Sequence, residues 1–168
     1  FALFYDRYNL YIDPKISLKL IPERNVVSVK KKAVYSLEGT ASLFVELQSI
    51  IKKNKLNVIE PYFFTFYDDT GNIDASNLDI EICYTLLKKP EQDYSFIKSI
   101  PENYYATLVH KGELRECIKY IENIKEWAKK NGFKIIGPPS RVFILSYAHT
   151  KSLEKVVSEL QIPVVKRI

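Results

Sequence analysis

Hydrophobic positions along the chain switch between two periods. Leu43, Leu47, Ile50 and Ile51 recur at the spacing of one helix face, and Leu114, Cys117, Ile118, Ile121, Ile124 and Ala128 do so again further on. Around these helical patterns lie β-rich runs at 26–29, 58–67, 78–86, 104–108, 134–147 and 156–164. The run at 78–86 alternates: Leu78, Ile80, Ile82, Tyr84 and Leu86 form an apolar side, while Asp79, Glu81, Cys83 and Thr85 form a polar one. Strands 58–67 and 78–86 are separated by Asp68-Asp69-Thr70-Gly71-Asn72, a turn-rich loop.

The pattern is written twice. Lys19-Leu20-Ile21-Pro22-Glu23 is echoed 79 positions later by Lys98-Ser99-Ile100-Pro101-Glu102. A β-rich run, a glycine (Gly39 or Gly112) and a helical pattern follow each Pro-Glu pair. Each helix closes on Lys-Lys-Asn, at Lys52-Lys53-Asn54 and Lys129-Lys130-Asn131, 77 positions apart; cations and Asn suit the unpaired carbonyls of a helix C-terminus. Glu81 matches Glu159 at a spacing of 78.

This predicts an α+β fold: tandem duplicated β-α-β-β units around a pseudo-twofold, with antiparallel sheets and one long helix per half. The halves run over about 15–87 and 94–165. One helix covers one face of a sheet, so the uncovered faces are expected to turn toward each other and leave a central ligand cleft.

Length and composition narrow the function. The 168 residues are 46% hydrophobic and 27% charged, enough for a proper core. No apolar run approaches the ~20 residues of a membrane span, and the N-terminus lacks a signal-peptide pattern. Cys83 and Cys117 stand alone without metal or redox spacing, so a reducing, cytoplasmic setting is expected. Net charge is +5, but the lysine pairs are scattered at element ends, which argues against a nucleic-acid face. The chain opens on Phe1 rather than Met, and residues 1–14 are expected to be a linker from an upstream DNA-binding domain.

Candidate chemistry is aromatic. Tyr62, Phe64 and Phe66 share one side of their strand, with Phe63 and Tyr67 on the other. Aligning Pro61 with Pro138 sets Phe64 against Arg141 and Phe66 against Phe143, and Arg141, Phe143, Leu145 and Tyr147 share a side. Rings with a few charged groups fit a pocket for a flat organic molecule, and they fit ordinary core packing as well. Glu81 and Glu159 read either as cleft carboxylates or as groups that cap loop donors or meet lysines. His110 reads as a hydrogen-bonded turn histidine, since His149 is too remote to make a metal site with it. Nothing forms a nucleophile–base pair, a phosphate loop or a metal set, so no catalytic residue, cofactor or metal is expected.

The order Ile100-Pro101-Glu102, Tyr105-Ala106, His110-Lys111-Gly112, Trp127, Asn131-Gly132-Phe133 and Gly137-Pro138-Pro139 resembles the GyrI-like effector-binding domain. Asp79-Ile80-Glu81-Ile82 and Ser158 to Val164 resemble its two strand motifs, and the likeness covers about Lys15 to Val164. That family supplies the C-terminal sensor of MerR-class multidrug-efflux regulators and occurs in AraC-class regulators. The resemblance implies a non-enzymatic sensor for an aromatic or amphipathic effector, in a regulator that is a homodimer and contacts DNA only through a separate N-terminal domain. Together with the strand patterns above, it gives Phe44, Tyr62, Phe64, Phe66, Glu81, Tyr105, Arg141, Phe143 and Glu159 as the expected ligand-binding residues. In MerR-class drug sensors a buried glutamate in the strand after the second helix attracts cationic drugs; Arg141 stands there in this chain. Phe44 falls where a tyrosine lines that pocket, and Val156 replaces another. An arginine favours an anionic or carbonyl-bearing ligand, or pairs with Glu81 or Glu159. Two alternatives remain: a hydrolase using Glu81 with Tyr105, and a stand-alone protein-binding module of the gyrase-inhibitor type.

Overall fold

The computed structural model describes residues 15–68 and 76–168, apart from the side chains of Leu114, Arg115 and Ile118. The linker expected over 1–14 and most of the loop at 68–72 lie outside the described residues. Among the described residues, nine strands and three helices follow in the order β1 (Ser17–Ile21), β2 (Arg24–Ala33), α1 (Leu37–Lys53), β3 (Val58–Phe66), β4 (Leu78–Leu86), β5 (Ile97–Ile100), β6 (Asn103–Lys111), α2 (Leu114–Lys130), β7 (Phe133–Ile135), β8 (Ser140–Leu145), α3 (Tyr147–Thr150) and β9 (Val157–Lys166), with a 3-10 turn at Leu153–Lys155.

Both long helices form for the reasons their sequences advertise. In α1 the Ser36 side chain accepts from the Gly39 N–H at the first turn, and Leu43, Leu47 and Ile51 bury one stripe. In α2, Cys117, Ile121, Ile124 and Ala128 do the same. At the far ends the Asn54 amide donates to the Ile50 carbonyl and the Asn131 amide to the Trp127 carbonyl. Each asparagine thus adds a side-chain bond to a carbonyl that also accepts its backbone N–H, closing the last turn.

The strands form one antiparallel sheet in the order β1-β6-β9-β8-β3-β4-β2-β5, with β7 also on β9. The registers recur at the spacings of the sequence repeat. Val26 faces Thr85 in the first half, and Tyr105 faces Pro163 in the second. At the centre β3 pairs with β8, with Phe64 opposite Arg141. The expected strand over 134–147 is interrupted: Gly137-Pro138-Pro139 separates β7 from β8, and Tyr147 begins α3. Two prolines without N–H groups cannot continue a ladder. Pro61 sits likewise in the irregular stretch of β3 between Ile59 and Phe63.

Directly paired residues share a face, so Ile82, Phe64, Arg141 and Leu160 lie together along one side of the sheet. That side carries both helices. Under α1 lie Leu78, Ile80, Ile82, Tyr84 and Leu86, as the alternation predicts; under α2 lie Ala106, Leu108, Leu160, Ile162 and Val164. The expectation of two uncovered faces opposed across a cleft is corrected here. Because β3 pairs with β8, the halves share one sheet and have a single uncovered face.

That face curls. Only Pro22 and Glu23 separate β1 from β2, although the two strands stand six places apart in the sheet, roughly 29 Å if it were flat. A link this short spans about 10 Å, so the edges must approach each other. Pro101 and Glu102 make the same crossing between β5 and β6. The Arg24 guanidinium lies over both the Phe63 and the Tyr105 rings, at 5.4 and 5.8 Å, inside the curl. The repeated Ile-Pro-Glu segments are therefore crossings between sheet edges, and each half lends its first strand to the other.

Candidate functional site

On the helix side a cavity of about 620 Å³ opens over the middle of the sheet. The start of α1 walls it with Leu37, Thr40, Ala41, Phe44 and Val45; β3 supplies Tyr62 and Phe64, and β8 supplies Arg141 and Phe143. Gly112 and Glu113 before α2, and Tyr147, Ala148, Lys151, Leu153 and Val156 from the α3 region, complete it. It lies where the two halves join, in the size range of small-molecule sites.

Its floor is a connected set of rings. Tyr62 stacks on Phe143 with centroids 5.0 Å apart, Phe64 meets Phe143 edge-on at 5.2 Å, and Phe44 meets Tyr62 at 5.5 Å. Tyr35, in the turn before α1, leans on Phe64 and Phe66. Such contacts favour offset and edge-on geometries and fix the rings in place. Burial pushes the Tyr35 and Tyr62 hydroxyls above their ordinary pKa, so both stay protonated donors at neutral pH.

Arg141 is the charged group of this floor, 3% exposed. Its Nε donates to Ser158 Oγ at 2.8 Å, Nη1 to the Tyr35 hydroxyl at 3.1 Å and Nη2 to the Gly112 carbonyl at 2.9 Å; the guanidinium also lies 4.8 Å from the Phe143 ring centroid. Among the described residues no carboxylate forms an ion pair with it. Burial works against its charge, but the surrounding groups outweigh that and hold its pKa above the ordinary arginine value.

Five residues expected at the ligand site therefore meet at one cavity: Phe44, Tyr62, Phe64, Arg141 and Phe143. Four do not line it. Phe66, 1% exposed, is packed into the core under α1. Tyr105 lies on the curled face beneath Arg24. Glu81 and Glu159 share that face. Glu81 accepts from Ser28, Tyr67 and Lys98, and Glu159 accepts from Lys19 and Gln161. The pairing of Arg141 with either glutamate is thus corrected: both stand on the opposite side of the sheet, and Lys98 and Lys19 take them instead. Sequence reasoning missed Tyr35, Lys151 and Leu153, which sit in non-periodic turns; the only signal for Tyr35 was its place just before the Ser36 cap.

Behind Arg141, Cys117 Sγ lies 3.2 Å from His110 Nδ1, and His110 Nε2 lies 3.3 Å from Glu116 Oε2. The spacing imitates a nucleophilic relay, but the thiol is fully buried and burial raises its pKa, which disfavours the reactive thiolate. His110 is hydrogen-bonded as expected, but it is buried within β6 rather than in a turn. Among the described residues no cluster could hold a metal ion, and no helix is long and apolar enough to cross a membrane.

Solved structures share this architecture. The EcmrR C-terminal domain superposes with a TM-score of 0.71 at 24% identity, covering 92% of this chain and 99% of that one. EcmrR in its DNA complex gives 0.78 at 19% identity and 99% of this chain, which spans 62% of that longer protein. A hydrolase encoded by lin2189 from Listeria innocua gives 0.63 at 17% identity, covering 96% and 98%. None of the curated proteins matches the chain in sequence. The family model of the GyrI-like small molecule binding domain matches residues 14–165, and the chain belongs to that family.

Proposed function

We propose that this domain is the effector sensor of a cytoplasmic bacterial transcriptional regulator, binding an aromatic or amphipathic small molecule without chemical turnover. The observation that carries the reading is the ring-floored cavity between the start of α1 and the start of α2. A guest there touches both halves, which we read as duplicated units related by a pseudo-twofold. Signal transfer requires that the guest bind one arrangement of the halves better than another; equal affinity for both shifts nothing. The fold likeness to EcmrR in a DNA complex, of which this chain spans 62%, supports an attached DNA-binding domain.

A hydrolase is the second reading, favoured by the fold shared with the lin2189 protein. Against it stand a buried Cys117 whose thiolate is disfavoured and a Glu81 that already accepts from Ser28, Tyr67 and Lys98. The test is a thermal-shift screen of aromatic compounds on the wild type and on Ala41→Trp, which places an indole in the cavity. A ligand at ~100 times its Kd stabilises by about 2.7 kcal/mol, a rise of several degrees at this size. Loss of every shift in Ala41→Trp is expected. No shift with any compound, or shifts unchanged by the indole, would defeat the reading.

A further inference from the structure

We propose that the ligand of this cavity is an aromatic carboxylate and that Arg141 selects it; this rests on the cavity being the effector site. Arg141 spends three N–H groups on Ser158, Tyr35 and Gly112, all neutral acceptors. A guanidinium has five. The remaining two, one on each terminal nitrogen, have no partner among the described residues, and the charge faces the Phe143 ring but no carboxylate. Neutral acceptors and a ring face hold the cation, and the place of a counter-ion is left open. A carboxylate entering the cavity fills that place with two parallel hydrogen bonds and the opposite charge.

Other features point the same way. The Tyr35 hydroxyl stays protonated and lies 3.1 Å from the guanidinium, so it stands ready beside the same anion. Lys151 adds a second positive charge to the lining, against one carboxylate, Glu113; both are exposed. The stacked Tyr62 and Phe143 rings offer a flat apolar face for the rest of the molecule. A lipophilic cation, by contrast, meets a buried like charge.

Isothermal titration of the wild type with 2-naphthoate, its neutral isostere 2-naphthamide and the flat cation N-methylquinolinium tests this directly. Naphthoate is expected to bind tightest. Arg141→Gln is expected to weaken naphthoate on the order of 10- to 100-fold, with naphthamide nearly unchanged. The wild-type comparison needs no variant, so the test survives a variant that fails to fold. If the amide or the cation binds as tightly as naphthoate, the anion proposal fails while the cavity reading stands. A naphthoate preference that persists in Arg141→Gln overturns the role of Arg141. Absence of binding by all three, with a cavity that other compounds also ignore, removes both.

Discussion

Lys98→Met removes one charge from the curled face while keeping most of the aliphatic stem. Glu81, its partner, is 7% exposed at the side chain and accepts from Ser28 Oγ at 2.9 Å, the Tyr67 hydroxyl at 2.7 Å and Lys98 Nζ. A hydrogen bond to a charged group contributes about 1.5–3 kcal/mol when shielded, and an exposed ion pair about 0–1. The ammonium is 43% exposed, so water recovers part of the loss and about 1–2 kcal/mol is expected. For a domain of this length that lowers Tm by roughly 2–8 °C. The loss depends on pH in a defined direction. Burial alone would raise the Glu81 pKa, but the bonds from Lys98, Tyr67 and Ser28 outweigh it and hold the carboxyl below its ordinary 4.5. Its stabilisation is complete above that value and disappears as pH falls through the folded pKa. Urea unfolding of both proteins across a series from pH 7 downward should therefore show a gap that closes in acid. A gap that stays constant with pH, or no gap at pH 7, would refute the reasoning.

Other outcomes follow from single features. Gly112 has φ +128°, a conformation that side chains resist, and its carbonyl receives Arg141; Gly112→Ala should cost about 1–3 kcal/mol in denaturant unfolding and weaken ligand binding with it. Burial, helped by the charge of Arg141, holds His110 below its ordinary pKa of 6.5. The unfolded chain therefore takes the proton first, and wild-type stability should fall as pH drops from 6.5 toward the folded value, a slope that His110→Gln should flatten in paired melts. Leu47→Ala, on the fully buried stripe of α1, should cost about 2–5 kcal/mol. Phe66→Leu should lower stability yet leave ligand affinity unchanged, whereas Phe143→Leu should lower both, because only Phe143 lines the cavity.

Most of the scaffold was legible in the chain because each half follows simple periods. The helix stripes and the apolar side of β4 are buried as their periods predict, and Phe64 and Arg141, aligned at a spacing of 77, face each other between β3 and β8. The layout of the site was less legible. Alternation tells which residues share a side of a strand; it does not tell whether two halves join edge to edge or stack. Glu81 and Glu159 were expected at a cleft because a polar side of a strand looks uncovered, but Lys98 on β5 and Lys19 on β1 reach them across one intervening strand. Phe66 and Phe64 are indistinguishable in sequence, and only the depth of each under α1 separates core from floor. Tyr35 and Lys151 lie in turns, where periodicity carries no information.

The traded edge strands have a mechanical corollary. β1 is covalently continuous with β2 yet bonded to β6, while β5 is continuous with β6 yet bonded to β2. Like two clasped hands, the lobes cannot be pulled apart without breaking both ladders. A hinge that swings them open would break those ladders, whereas a change of sheet curvature about the β3–β8 seam keeps them intact. A chain cleaved between 88 and 96 should accordingly stay assembled, whereas either fragment alone would have a bare sheet edge in need of the strand it gave away.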